Sequence, residues 1–210
     1  MNISIIYLYF FSWYSSIGVN YIKEEITMKV CAFLTDNFET VECLAVVDIL
    51  RRAGIEVDTI SITAKKEVVS AQGVTIVADY LFGSYEFDGT ELLFLPGGPG
   101  TKNYFDRKVL LNLLKEHYEN GGRLAAICAA PSVFGKLGFL EGKKAVCFPG
   151  YEDSLEGAIC LNDSVNVVTD GNITTSRGMG TSIDLGLELV KLLIDVNTAN
   201  ELAKKIQYER

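Results

Sequence analysis

Arg123-Leu124-Ala125-Ala126-Ile127-Cys128-Ala129-Ala130-Pro131 is the stretch on which the fold turns. It opens as an apolar strand and closes on two small residues and a proline, a composition suited to a sharp turn into a helix. Cys128 stands at the corner. A nucleophile at a strand-to-helix turn is clear of the sheet and faces the positive end of the helix, where a thiol is expected to ionise more readily. A buried cysteine on a core strand is the commoner alternative, and this stretch alone leaves the two readings even.

On either side of this stretch, short apolar runs alternate with helical patterns. Strands are expected at Lys29–Leu34, Glu56–Ile62, Glu91–Leu95 and Lys143–Cys147, with hairpins at 68–77 and at 165–176 around Asp170-Gly171. Helices are expected at Glu39–Arg52, Lys108–Asn120, Thr181–Ile194 and Thr198–Ile206. Such alternation implies an α/β fold with a mostly parallel sheet covered on both faces. Sites in these sheets lie beyond the carboxyl ends of the strands. The turns at 36–39, 96–100, 128–131 and 177–180 occupy those ends.

The chain has 210 residues, 49% of them hydrophobic and 22% charged, which suits one domain with a sizeable core. Its formal net charge of -8, without basic runs, excludes a broad nucleic-acid surface. Five cysteines with no metal-ligand spacing and no C-x-x-C argue for a reducing compartment, and no metal site is expected. Residues 1–27 differ in character from the rest of the chain. Their apolar run is too short for a membrane helix and lacks the flanks of a signal peptide. Met28, which opens a clean strand, is read as the true start, leaving a single domain over 28–210.

Several residues beyond Cys128 have the chemistry of a site. Gly97-Gly98 after a strand admits close backbone approach, and with the amide of Ala129 it provides donors for an oxyanion. Glu39 and Glu42 share one face of the first turn of their helix, where a carboxyl group also simply favours the helix N-terminus. The single histidine, His117, falls near a helix end far from the strands' carboxyl ends and reads as a solvated surface residue. The loop 97–100 lacks the phosphate-binding pattern, so nucleotide binding is set aside.

Together Ala125–Pro131, Leu95-Pro96-Gly97-Gly98, Val47-Asp48-Ile49-Leu50-Arg51-Arg52-Ala53-Gly54 and Thr175–Ser182 resemble the DJ-1/PfpI superfamily, on its DJ-1/ThiJ-like branch. The resemblance runs from Met28 nearly to Arg210. It implies a flavodoxin-like three-layer sandwich with a nucleophile elbow, and a homodimer in the cytoplasm. Cys128 matches the family's oxidation-sensitive nucleophile. Glu42, six residues before Asp48, matches the glutamate that hydrogen-bonds it, and Glu39 a second pocket-side acid. Gly98 and Ala129 match the oxyanion amides, and Arg177 lies where it could orient a substrate oxygen or make a structural ion pair.

Two residues depart from the family pattern. Ala129 stands where the protease-like branch has histidine, which removes a Cys–His peptidase. Phe148-Pro149 stands where the DJ-1 branch has His-Pro. The resemblance then implies a cofactor-independent glyoxalase III or protein deglycase acting on methylglyoxal, glyoxal or their early glycation adducts. The alternative is a redox sensor or stress chaperone using the same oxidisable cysteine with little turnover.

Overall fold

The structure is a computed structural model that describes residues 28–162 and 164–209. The reading of residues 1–27 as an upstream extension lies outside the described residues.

A seven-stranded sheet forms the middle layer. Its strands are β1 (Lys29–Leu34), β2 (Glu56–Ser61), β5 (Tyr80–Leu81), β6 (Thr90–Leu95), β7 (Arg123–Ile127), β10 (Val167–Asp170) and β11 (Ile173–Ser176). Their order is β10-β11-β7-β6-β1-β2-β5. All neighbours run parallel except β10 and β11, the hairpin closed by Gly171. Two small pairs lie outside it: β3 (Glu67–Val69) antiparallel to β4 (Thr75–Val77), and β8 (Lys144–Ala145) parallel to β9 (Ile159–Cys160).

Central strands are apolar on both sides because both faces are covered. On one face Val30, Ala32, Leu34, Phe94, Ala125 and Ile127 meet α1 (Thr40–Arg52) and α5 (Ser182–Leu193), with α6 (Val196–Lys205) outside α5. On the other, Cys31, Phe33, Leu93, Leu95, Leu124 and Ala126 meet α3 (Lys108–Glu119) and α4 (Pro131–Lys136); a short α2 (Lys102–Phe105) precedes α3. The period-two alternation along each strand sorts side chains into these two cores.

Strand order reverses beside β1: β2 lies on one side of it and β6 on the other. A crevice opens at such a switch point. The turns after β1 and after β6 close on one another there, for the amide of Glu39 donates to the carbonyl of Gly97 at 3.0 Å and that of Gly100 to Asn37 at 2.8 Å. A Cβ on Gly100 would lie 2.4 Å from the Asp36 carbonyl oxygen, so only glycine permits this approach. The hairpin 67–77 braces the same turn through Asn37 N–H to Val69 and Ala71 N–H to Phe38.

Three expectations need correction. Lys143–Cys147 is not a strand throughout; only Lys144–Ala145 pairs, and outside the main sheet. Past Ala145 the amides turn to side chains instead, Val146 to Thr175 Oγ1 and Cys147 to Asn162 Oδ1. The edge strand Tyr80–Leu81 and strand Ile159–Cys160 have no counterpart among the expected elements, since two residues carry no periodicity. His117 is not freely solvated. It is half-buried, and its Nε2 lies 3.3 Å from the Glu91 carbonyl and 3.1 Å from that of Arg123. Both partners are acceptors, so Nε2 carries the proton and donates. Burial holds the imidazole below its usual range of protonation.

Candidate active site

Cys128 follows β7 directly and has φ of +66°, in the left-handed region that a side chain rarely adopts. The neighbourhood enforces this conformation. The amide of Cys128 donates to Ser176 at the end of β11 at 2.9 Å, and its carbonyl accepts from the Phe148 amide at 2.8 Å. The strained corner aims the thiol away from the sheet and towards α1.

Glu42 reaches the thiol from the first turn of α1. It is 1% exposed. Its carboxylate accepts from the Gly97 amide at 3.1 Å, from the Met179 amide, and from the Cys128 thiol. Glu39 is the N-cap of α1, and its Oε2 accepts from the Glu42 amide at 2.7 Å. Glu39 therefore fixes the turn that presents Glu42 and adds a second negative charge behind it. The amides of Gly98 and Ala129 point at the Cys128 sulfur.

Glycine is required at both positions of the loop after β6. A Cβ on Gly97 would meet Cys128 Cβ and the Ile127 carbonyl at 2.6 Å and Glu42 Oε2 at 2.7 Å. Gly98 has φ of +92° and faces the Glu39 amide with no room for a side chain. The two amides do different things. Gly97 holds the carboxylate, and Gly98 faces the sulfur.

Burial pushes Glu42 up to about 7, with Glu39 contributing in the same direction and the hydrogen bonds from Cys128, Gly97 and Met179 opposing it. Burial and the Glu42 carboxylate push Cys128 up to about 12, against the amides of Gly98 and Ala129. This reverses the expectation of a readily ionised thiol. The helix that was to lower it, Pro131–Lys136, has only six residues, while the carboxylate is in direct contact. The thiol at rest therefore holds its proton and donates it to Glu42, and the carboxyl group is poised to take that proton at neutral pH.

Phe148 and Arg177 are the other residues expected at the site. Phe148 is 46% exposed, and a Cβ on Gly178 would touch its ring on one side and Glu42 on the other. Arg177 is half-buried, its amide donates to Asn166 at 3.2 Å, and none of the ion pairs among the described residues involves it. Cys147 is fully buried, bonded through its amide to Asn162. The Met179 amide was not foreseen. A backbone donor leaves no trace in residue type, and only the turn after β11 pointed to it. Among the described residues no cluster of three metal-ligating side chains is present, and no helix is long and apolar enough to cross a membrane.

Comparison with known proteins gives a consistent result. A family profile described as "DJ-1/PfpI family" matches residues 28–192. The chain is 35% identical to protein DJ-1 homolog B of Arabidopsis thaliana over 84% of its own length, and spans 41% of that longer relative. It is 34% identical to protein dj-1beta of Drosophila melanogaster, covering 81% of this chain and 92% of the relative. A glutathione-independent glyoxalase of Caenorhabditis elegans is 29% identical over 81% of this chain and 91% of its own. Among solved structures, oxidized DJ-1 of Toxoplasma gondii superimposes with a TM-score of 0.82 at 31% identity, over 87% of this chain and 100% of that one.

Proposed function

Because the chain belongs to the DJ-1/PfpI family, we propose that it is a cofactor-independent glyoxalase III or protein deglycase, acting through Cys128 on methylglyoxal, glyoxal or their early adducts. The observation that carries this reading is the buried Glu42 carboxyl, raised to about 7 and in contact with the thiol beneath two inward amides. A group poised near neutrality can both take and return protons.

The Cys128 sulfur attacks the aldehyde carbon while its proton passes to Glu42. The carbonyl π pair moves onto oxygen, which the Gly98 and Ala129 amides hold as it takes a proton. Glu42, having given the thiol proton to that oxygen, takes the proton of the former aldehyde carbon and passes it to the neighbouring carbonyl oxygen, which gives an enediol. The hydroxyl on the former aldehyde carbon then gives up its proton, which Glu42 delivers to the neighbouring carbon, and a 2-hydroxy thioester results. Water then releases the 2-hydroxy acid and restores the thiol. One carbon is oxidised and its neighbour reduced, so no external electron carrier is needed. Arg177 orients the second substrate oxygen.

Lactate should form from methylglyoxal, and Cys128→Ser and Glu42→Gln should each reduce the rate at least about a hundredfold. An unchanged rate in Cys128→Ser refutes the mechanism. The reading includes a homodimer in a reducing cytoplasm; sedimentation as a monomer removes the dimer.

A second reading is favoured by the same donors. With Glu42 protonated, its hydroxyl and the two amides suit the oxygens of a cysteine sulfinate, formed by two equivalents of peroxide with release of two waters. Selective two-oxygen addition at Cys128 by mass spectrometry, with negligible aldehyde turnover, identifies a sensor.

A further inference from the structure

Phe148 is an exposed aromatic ring at the mouth of a buried polar site. Its setting is rigid. Its amide donates to the Cys128 carbonyl at 2.8 Å, and its carbonyl accepts from Tyr151 at 3.1 Å. The residue before it is tied to Asn162, whose Oδ1 accepts from the Cys147 amide at 2.8 Å. The loop beyond it is tied to Glu152, which accepts from the Gly150 amide at 2.7 Å and from Asn162 Nδ2 at 2.7 Å. The ring is thus carried by a loop locked to the nucleophile's own backbone.

The ring and the catalytic carboxyl flank one small space. A Cβ placed on Gly178 would lie 3.2 Å from Phe148 Cδ2 and 3.8 Å from Glu42 Oε1. Glycine leaves that space open. Met179, the next residue, is 55% exposed while its amide holds Glu42. A compound bonded to Cys128 would have its reacting carbons against Glu42 and the amides. A substituent extending from them towards solvent meets an apolar wall.

We infer that Phe148 is a specificity-determining residue, which selects carbonyl compounds bearing an aromatic or bulky apolar group next to the reacting carbon. The inference rests on the proposed aldehyde reading of the site, and the two can fail separately. Ring-to-ring contact at a partly desolvated wall is worth a several-fold preference.

The test compares the rates at which Cys128 is alkylated by phenacyl bromide and by bromoacetone, read by mass spectrometry. In each case sulfur displaces bromide, a carbon–sulfur bond replaces the carbon–bromine bond, and the thiol proton leaves through Glu42. Taking the ratio in wild type against the ratio in a variant cancels the intrinsic reactivity of the reagents. Phe148→Ala should lower the phenacyl-to-acetonyl ratio about fivefold to tenfold, and Phe148→Tyr should keep it. Phe148→Leu, which fills the space without a ring, replaces the alanine variant if that fails to fold, with the same direction expected. A ratio unchanged or raised on loss of the ring overturns the inference. Absence of lactate release in wild type together with a ratio that falls on loss of the ring removes the aldehyde reading and leaves the wall intact.

Discussion

Glu42 and Cys128 are in hydrogen-bond contact and both are buried. Glu42 must be ionised to accept the thiol proton, so kcat/KM should rise about tenfold per pH unit up to about 7 and level off above it. The same group affects stability. Its carboxyl moves from 4.5 when unfolded to about 7 when folded. A raised value means the folded form binds the proton more tightly. This contribution is complete below 4.5 and is lost as pH rises through 7, a change of at most about 3 kcal/mol. Glu42→Gln should therefore gain thermal stability over wild type at pH 8 and show a smaller gain at pH 5, measured by calorimetry. A Tm difference constant with pH contradicts the buried carboxylate. Gly97→Ala tests the loop beneath the pair. Its methyl group would press on Cys128, Ile127 and Glu42 together. The expected result is a loss of about 1–3 kcal/mol in stability and a fall in kcat of at least about tenfold.

Residue type announced much of this site, because Cys128, Glu42, Gly97 and Gly98 each fall at a turn where a side chain or its absence matters. The proton affinity of the thiol was not legible. Its direction depends on a carboxylate 86 positions earlier in the sequence, brought into contact by packing alone.

Elements with long apolar runs were legible for the same reason that they are stable: their side chains fill the two cores. Two-residue strands were not, nor was the end of β8, where Thr175 and Asn162 side chains take over from a backbone ladder. The tight contact between two helices is also invisible in periodicity. Gly186 of α5 lies against Ile49 of α1, and a Cβ there would come within 3.0 Å of three Ile49 side-chain carbons. The glycine lets the helix that presents Glu42 sit against its neighbour. Gly186→Leu should destabilise by about 1–3 kcal/mol and shift α1. A lower urea midpoint, accompanied by a change in the kinetic pH limb, would show both effects. A surface change such as Lys191→Ala should leave that limb in place.

At the scale of the molecule the two ends of the sheet divide the work. Carboxyl ends bear the site. At the other end His117 bridges β6 and β7 through the carbonyls of Glu91 and Arg123, and Gly122 makes room for its ring, since a Cβ there would be 2.3 Å from Nε2. Burial lowers the imidazole although both carbonyls favour its protonation, so the stability of the neutral buried ring is complete above the unfolded value of 6.5 and is lost as pH falls. His117→Ala should lower Tm at pH 8 by the equivalent of about 1–3 kcal/mol while leaving the rate of Cys128 alkylation by iodoacetamide unchanged. A parallel loss of both would mean that the ends are coupled.

The Met179 amide on Glu42 has one more consequence, which concerns synthesis on the ribosome. Glu42 and Cys128 leave the tunnel first. The strand that accepts the Cys128 amide, and the donor that completes the Glu42 carboxyl shell, come about fifty residues later. Until they dock, β7 has no neighbour on that side, and the Cys128 amide lacks the Ser176 acceptor that holds its corner. The arrangement of Cys128 and Glu42 is thus complete only once residues 173–179 have been made and docked.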